Sequence, residues 1–240
     1  MIKRAVSADE FSALPEKGVE AQKIRSLLMA YGTKYDFCRF YLAENAFIAQ
    51  LNGDFIVCGD GETDAAEFAE FLGFCGFSSV FCSKKLGEVL SKKLGSDAKI
   101  VNLMRFDRNV VNYGSDIVTP KTLSPSEAYS VIKTGFEIEF EPWYLDMSHR
   151  VRHNISRLYG LCGSALAVQY AINGEALISQ IATLPDQRGK GFASRLILSV
   201  CRELCDYSVY VLCENELTGF YRKNGFAIKD YKCCIYKSNP

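Results

Sequence analysis

The sequence lacks the features that mark membrane-spanning, secreted and nucleic-acid-binding chains. No uninterrupted apolar run approaches the roughly 18 residues of a membrane span, and the charged start Met1–Arg4 leads into polar residues. Lysine plus arginine equal aspartate plus glutamate at 28 each, so no basic excess attracts nucleic acid or an anionic membrane. We therefore expect a cytoplasmic protein that binds neither nucleic acid nor membranes.

Paired C-x-x-C cysteines are also missing, although the chain has ten cysteines. Most of them lie in apolar runs, where a thiol behaves as a small hydrophobic group. Cys233 and Cys234 are adjacent and cannot chelate one ion comfortably, and His149 and His153 fit one face of a solvated helix better than a metal site. We expect free thiols and no metal.

Two halves of the sequence carry the same order of signals: strand, turn, strand, amphipathic helix, strand, short helix, strand. The turns are Asn52-Gly53 and Asn173-Gly174, which favour type I′ hairpins because both residues accept positive φ. The strand before the second turn is expected over Leu158–Ile172. We predict an α/β (α+β) fold of two tandem units, residues 1–112 and 113–240, each a mixed, mostly antiparallel twisted sheet flanked by helices. The alternative is one domain with a long loop.

The clearest chemical signal is the glycine-rich loop Arg188–Ala193, between a strand at Ile178–Thr183 and a helix expected over Gly189–Asp206. Glycines let the backbone approach a ligand closely, and the amides and dipole at a helix start favour phosphate. The sequence pattern of the loop matches neither the phosphate loop of nucleotidases nor the dinucleotide-binding fingerprint. Ser199 is expected on the solvated face of the helix. The loop therefore predicts an anion site.

The loop and the residues that follow it resemble the GNAT superfamily of N-acetyltransferases. Arg188, Gly191 and Ala193 match the family signature Arg/Gln-x-x-Gly-x-Gly/Ala after a strand and at a helix start. Downstream, the run Tyr221–Phe226 is similar to the family's Tyr-x-x-x-Gly-Phe ending. Asn215 precedes that tyrosine by six residues, where the family more often has seven.

The resemblance implies an N-acetyltransferase with acetyl-CoA as co-substrate and, as acceptor, a primary amine of a small molecule or an exposed protein amino group. It implies direct attack in a ternary complex. Tyr221 would donate the proton to the departing thiolate, since a phenol with a pKa of about 10 stays protonated at neutral pH. The cofactor-binding residues that it implies are Ile181, Ala182, Thr183, Arg188, Gly189, Lys190, Gly191, Phe192, Ala193, Ser194 and Asn215.

The first half departs from this pattern at two positions. The segment Gly59–Asp64 stands where the phosphate loop belongs, and its acidic residues would repel pyrophosphate. Ser91 stands where the second half has Tyr221. We predict that residues 1–112 form a degenerate GNAT-like unit.

The acceptor pocket is expected near the only tryptophan, at Trp143. From Phe136 to Glu141 carboxylates alternate with apolar residues, which predicts a strand with its carboxylates on one face. For any single one of them a solvated surface position is the simpler interpretation. Candidate acceptor-binding residues are an aromatic wall, two carboxylates and a guanidinium: Trp143, Glu139, Asp146 and Arg150.

Two other functions fit parts of the pattern. A non-catalytic acyl-CoA-binding sensor or scaffold would share the loop and transfer nothing. A tandem transferase of the kind that uses aminoacyl-tRNA would share the duplication, but the intact loop and the balanced charge argue against it. Monomer and homodimer both remain open.

Overall fold

The computed structural model describes residues 1–59, 64–111 and 118–237. Two predictions fall outside these residues. One is the unit boundary between residues 112 and 113, and the other is the acidic part of the first-half loop, residues 60–63. Both stay predictions.

Contacts along the chain divide it into two units. Unit 1 comprises Met1–Asn102 together with the chain from Asp230 onward, and unit 2 comprises Leu103–Lys229. Each unit has its own buried apolar cluster. Within the described part of the chain, no helix is long and apolar enough to cross a membrane.

In its described residues, unit 1 combines a sheet with three α-helices. Its strands are β1 (Lys3–Arg4), β2 (Cys38–Ala43), β3 (Ala46–Leu51), β4 (Asp54–Gly59), β5 (Ser79–Ser83) and the first part of β6 (Asp97–Phe106), and its helices are α1 (Val19–Tyr31), α2 (Ala65–Cys75) and α3 (Lys84–Leu94). Unit 2 holds the rest of β6 and the strands β7 (Lys121–Thr122), β8 (Arg157–Leu161), β9 (Ser164–Ile172), β10 (Glu175–Thr183), β11 (Ser208–Cys213) and β12 (Phe226–Tyr236), with helices α4 (Pro125–Ile132), α5 (Phe140–Arg152), α6 (Phe192–Glu203) and α7 (Thr218–Lys223). The last part of β12, from Asp230, belongs to unit 1.

The two sheets repeat one strand order, which confirms the predicted duplication. In unit 1, β1 to β5 are neighbours in sequence order, antiparallel except for the parallel pair β4 and β5. In unit 2, β7 to β11 follow the same order, and only β10 and β11 are parallel. The mixed, mostly antiparallel sheet predicted for each half is therefore present in both.

Each unit closes its sheet with a strand from the other half of the sequence. In unit 1, β5 pairs with β12 in antiparallel register from Lys232↔Ser83 to Tyr236↔Ser79. In unit 2, the neighbour of β11 is β6. The repeat in the sequence did not predict this exchange. The pattern of a strand indicates which of its residues are buried, but it does not identify the strand with which it pairs.

The hairpin turns follow the predicted chemistry at both Asn-Gly dipeptides. Asn52 and Asn173 have φ of 50° and 48°, and the glycines after them are also at positive φ. A third turn of this kind, at Cys162-Gly163 with φ of 46° and 76°, divides the strand predicted over Leu158–Ile172 into β8 and β9. Cysteine is uncommon at positive φ, so the sequence carried little signal for that turn.

Candidate active site

A bulge interrupts β10 close to its end. The pairing of β10 with β9 shifts register between Leu177 and Ile178 and again between Ser179 and Ala182, and Gln180 has a φ of +49°. The parallel pairing with β11 stops at Ile178↔Val211. After Ile178, β10 therefore has no ladder partner in β11, and the bulge leaves Gln180 and Ile181 out of the paired register with β9.

The predicted anion loop connects this strand end to α6. A short 3-10 turn at Pro185–Gln187 is followed by Gly189 and Gly191 with φ of 76° and 78°. A Cβ on either glycine would meet no atom within 4 Å. The glycines are thus required by backbone conformation, and the space over them is free for a ligand.

The N-terminus of α6 carries no side-chain cap. Gly191 is the N-cap residue, and no side chain of the described residues accepts a hydrogen bond from the first turn, Phe192–Ser194. The free amides and the helix dipole therefore point toward the open loop and favour an anion. The helix is held by Leu196, Ile197 and Val200, each 0% exposed. Ser199 is 2% exposed, so the prediction that it is solvated was wrong, because the buried face of α6 is wider than a single stripe.

The charged side chains of the loop are engaged with the protein. Arg188 donates from Nε to the Thr183 carbonyl at 3.1 Å and from Nη2 to the Thr134 carbonyl at 3.0 Å. Lys190 donates from Nζ to Gln187 Oε1 at 3.1 Å. Thr183 Oγ1 lies 2.8 Å from Ser164 Oγ. The Arg188 bond to Thr183 holds the loop against the end of β10. The structure thus brings Ile181–Thr183 and residues 188–194 together.

Tyr221 lies on α7 and is 6% exposed. Its ring contacts Phe226 at a centroid distance of 5.7 Å, in the same buried cluster as Ile178 and Cys213. Burial, and then the neighbouring Cys213 thiol, raises the pKa of the phenol above its ordinary value. Its hydroxyl makes no hydrogen bond with any described residue. Tyr221 is therefore a neutral phenol whose hydroxyl has no hydrogen-bond partner among the described residues.

Two further parts of the downstream motif have clear places. Asn215 is exposed, in a 3-10 turn that follows β11. Gly225 has a φ of 84°, and a Cβ there would clash with Val111 and lie 3.0 Å from the Phe106 ring. The glycine of the Tyr-x-x-x-Gly-Phe ending is thus structural in this chain.

The predicted strand over residues 136–141 is wrong. Residues 136–139 form no regular structure, Glu139 is the N-cap residue of α5, and the helix begins at Phe140. Pro142 stands in the first helical turn, where its missing N–H costs nothing, and this favours a helix start over a strand. Glu137, Glu139 and the carboxylate of residue 141 are all exposed.

α5 places two of the predicted acceptor residues differently from the expectation. Trp143 donates from Nε1 to Gln180 Oε1 on the β10 bulge at 3.0 Å. Asp146 accepts from Arg150 Nε with Oδ1 at 2.8 Å and with Oδ2 at 2.9 Å. Trp143 therefore lies at the strand end, while Asp146 and Arg150 pair with each other.

Residues 154–228 match the family model of the acetyltransferase (GNAT) domain. The matched residues lie within unit 2. Solved structures agree over almost the whole chain: a GNAT-family acetyltransferase from Colwellia psychrerythraea has 9% identity, covers 98% of both chains and gives a TM-score of 0.59. A GCN5-related N-acetyltransferase from Kribbella flavida has 13% identity, covers 93% of this chain and 97% of its own, and gives 0.61.

The tandem arrangement also has a solved counterpart. A tandem GNAT protein from the clavulanic acid biosynthesis pathway has 11% identity, covers 100% of this chain and 99% of its own, and gives a TM-score of 0.56. At such identities the likeness shows the fold alone. No curated protein sequence matches the chain.

The strand bulge and the uncapped helix start of unit 2 are absent from the described residues at the matching positions of unit 1. β4 pairs with β3 without a register shift from Ala46↔Gly59 to Leu51↔Asp54. The N-terminus of α2 is capped by Asp64, whose Oδ1 accepts from the amides of Ala66 at 2.8 Å and Glu67 at 3.2 Å. A carboxylate of the protein thus binds the amides at the start of α2, whereas the equivalent amides of α6 have no side-chain partner.

Sequence reasoning missed the residues that shape the site by backbone geometry. Gln180 holds the bulge at positive φ and accepts from the tryptophan, and Ser179 before it has a buried hydroxyl without a partner among the described residues. Tyr129 of α4 packs on Trp143 with a ring separation of 5.5 Å. None of these belongs to a recognisable motif. The one available signal was the break in alternation at Ser179-Gln180 within an otherwise apolar strand.

Proposed function

We propose that the chain transfers an acetyl group from acetyl-CoA to a primary amine, of a small molecule or of an exposed protein amino group, by direct attack in a ternary complex. GNAT domains generally take acetyl-CoA as donor and amines as acceptors. The observation that carries the proposal is the uncapped N-terminus of α6 beside the bulged end of β10.

The donor would lie along these two elements. Its pyrophosphate would accept from amides of residues 188–194, because consecutive N–H groups at a helix start supply several donors at once. Its pantetheine arm would follow the edge of β10 at Ile181–Thr183, where Ile181 and Thr183 are half-buried and Ala182 is buried. Asn215, exposed after β11, would be a further contact of the donor.

Tyr221 would supply the proton that the reaction needs. The amine nitrogen forms a bond to the acetyl carbonyl carbon, the carbon–sulfur bond breaks, and the phenol protonates the departing thiolate. The proton that the nitrogen loses passes to solvent, and solvent returns the phenolate to the neutral phenol. A thiol with a pKa of about 8.5 is mostly protonated at neutral pH, so the departing thiolate takes up a proton, and a phenol beside the sulfur can supply it. Burial keeps the Tyr221 phenol neutral, so the donor is in the correct form at neutral pH.

Unit 1 is proposed to bind no donor. Its helix start is occupied by Asp64, its strand β4 has no bulge, and Ser91 replaces the tyrosine with a hydroxyl that is turned to the Glu88 carbonyl at 3.5 Å. We expect one acetyl-CoA per chain. The ten free cysteines fit action in a reducing compartment, the cytoplasm.

The test is a calorimetric titration of coenzyme A into Gly191→Asp. The new carboxylate stands at the free amides and repels the pyrophosphate, so affinity falls by about tenfold or more, the equivalent of about 1.4 kcal/mol. Gly76→Asp is the matched control: Gly76 has a φ of 71°, open space around its Cβ and a position in unit 1. Its affinity should equal that of the wild type.

Two results would contradict the proposal, one from this titration and one from an assay of acetyl transfer. Unchanged affinity in Gly191→Asp would remove the loop as the donor site. Binding of coenzyme A without acetyl transfer to any member of an amine library would leave a sensor or scaffold in place of an enzyme.

A further inference from the structure

The bulge of β10 includes Gln180, whose backbone conformation the sheet ladder does not determine. Pairing between β10 and β9 stops at Ser179↔Ala167 and resumes at Ala182↔Ala165, so two residues of β10 lie opposite one residue of β9. Gln180 has a φ of +49°, which costs free energy for a residue with a Cβ. Such a conformation persists when surrounding contacts hold it.

The side chain of Gln180 is held by Trp143 of α5. The indole Nε1 donates to Gln180 Oε1 at 3.0 Å, and both residues are half-buried. An indole N–H can only donate, so the bond determines which end of the amide faces the tryptophan. Trp143 therefore restrains the residue that carries the positive φ.

Trp143 is itself fixed by α4 and α5. Its ring packs on Tyr129 with a centroid separation of 5.5 Å, and the Tyr129 hydroxyl donates to the Ile138 carbonyl at 3.0 Å. The indole also packs against the buried cluster that includes Ile132 and Met147. The position of the indole N–H is therefore set by helix packing and not by the ladder of the sheet.

The connection between α4 and α5 touches the same strand end at two further points. Arg188 donates to the Thr134 carbonyl at 3.0 Å, and a Cβ on Gly135 would lie 3.3 Å from the Cβ of Ala182. The proposed path of the donor begins one residue after Gln180. A change in the backbone at Gln180 would therefore move the residues along which the donor would lie.

The effect of such a movement would fall on the rate more than on donor affinity. A displacement of about 1 Å at a reacting group can lower a rate by about a hundredfold. The pyrophosphate is proposed to bind at the start of α6, whose amides do not belong to the bulge. Loss of the bulge contact is thus expected to lower kcat and to leave the binding of coenzyme A in place.

We infer that Trp143 is a positioning residue for the proposed transfer. Its indole N–H holds Gln180, and through it the bulge, in the conformation that presents the thioester to the amine. The inference rests on the proposed function and adds to it a residue that acts through another. It gives Trp143 a role through Gln180, whereas the sequence predicted a direct contact with the acceptor.

The hydrogen bond is tested by NMR, since Trp143 is the only tryptophan and gives a single indole N–H signal. Exchange of that proton with solvent should be about tenfold faster in Gln180→Met, which lacks the acceptor oxygen, and close to the wild-type rate in Gln180→Glu, which keeps one. Neither replacement favours positive φ, so the comparison reports the bond. Equal exchange in all three proteins would overturn the inference without any measurement of turnover.

The kinetic test uses Trp143→Phe, which removes the N–H and keeps a ring on Tyr129. With the primary amine that the wild type acetylates fastest, kcat should fall by about tenfold in Trp143→Phe and in Gln180→Met, while coenzyme A affinity stays within about twofold in calorimetry. The double variant should lose no more than either single variant, because all three lack the same bond. Gln180→Glu should keep most of the wild-type kcat.

Tyr159→Phe is the control for a general loss of stability. The Tyr159 hydroxyl donates to Glu203 Oε1 at 2.7 Å, and Glu203 ends α6, at the opposite end of the helix from Gly191. Like Trp143→Phe, this variant loses one side-chain hydrogen bond of unit 2. It should lower Tm and keep the wild-type kcat.

The outcomes separate this inference from the proposed function. A wild-type kcat in Trp143→Phe overturns the inference and leaves the acetyltransferase assignment standing. An equal loss of kcat in Tyr159→Phe does the same, as does a double variant whose loss is the product of the two single losses. Failure of the wild type to acetylate any amine overturns the proposed function and the role of Trp143 in it, and the coenzyme A titration and the indole exchange then show whether donor binding and the bulge contact survive.

Discussion

The hydroxyl of Tyr221 is the residue-scale feature on which the proposed chemistry depends. The ring is packed among Phe220, Phe226 and the core of unit 2, so it cannot turn freely, yet its hydroxyl has no partner among the described residues. A purely structural tyrosine at this depth would normally bond its hydroxyl. The unused donor therefore supports a role toward a ligand.

Tyr221→Phe tests that role. It removes one oxygen atom and keeps the ring, so stability and coenzyme A affinity should be unchanged while kcat falls by about a hundredfold, the usual contribution of a general acid. Steady-state kinetics with saturating acetyl-CoA measures kcat, and calorimetry measures the affinity. An unaltered kcat would assign Tyr221 to packing.

The dependence of the wild-type kcat on pH is a second test of Tyr221. Because burial raises the pKa of Tyr221, its neutral form persists as pH rises through about 10, where an ordinary tyrosine ionises. An alkaline loss of kcat centred on an ordinary tyrosine value would contradict a buried donor.

At the scale of the helix, α2 and α6 occupy equivalent positions in the repeat, but their N-termini are capped differently. α2 begins with Asp64, which binds two of its amides, and α6 begins with Gly191 and leaves its amides free. Hydrogen bonds from the amides of Glu67 and Ala66 lower the pKa of the Asp64 carboxyl. One residue at the N-cap thus separates a self-capped helix from an anion site.

Asp64→Ala should lower the thermal stability of the protein at neutral pH. Since the folded-state pKa of Asp64 is depressed, its stabilisation is complete above the unfolded pKa of about 3.9 and is lost as pH falls through the lower folded value. The difference in Tm between variant and wild type should therefore shrink as pH drops below about 4. Ser83→Ala, which removes the hydroxyl cap of α3, is the control because its effect does not titrate.

The elements that could be predicted from the sequence are those determined by neighbouring residues along the chain. The Asn-Gly turns, the apolar face of α6 and the glycines before it follow from φ preferences and periodicity. The bulge at Gln180, the cap at Asp64 and the helix start at Phe140 did not, because each depends on which strand or amide lies opposite. The donor side could thus be located from sequence, whereas the acceptor side required the structure.

At the scale of the whole molecule, the chain's final segment completes the unit that its first segment begins. From Asp230 onward, β12 pairs with β5 and contributes Cys233 and Ile235, both 0% exposed, to the core of unit 1. Lys232 bonds Glu20 of α1 at 2.7 Å with both side chains 10% exposed. Burial opposes the charge of this lysine, but Glu20 and Asp230 outweigh it and raise its pKa.

A chain that ends at Lys229 should therefore lose unit 1 and not merely fray at its terminus. It leaves β5 without its partner strand, leaves Glu20 buried without its cation, and removes two core side chains, a loss of more than about 3 kcal/mol. Limited proteolysis should cut the truncated chain within residues 1–102, whereas a chain ending at Lys237, which keeps every described residue of β12, should resist as the wild type does. Equal protection of the two truncated chains would mean that the core of unit 1 is complete without its borrowed strand.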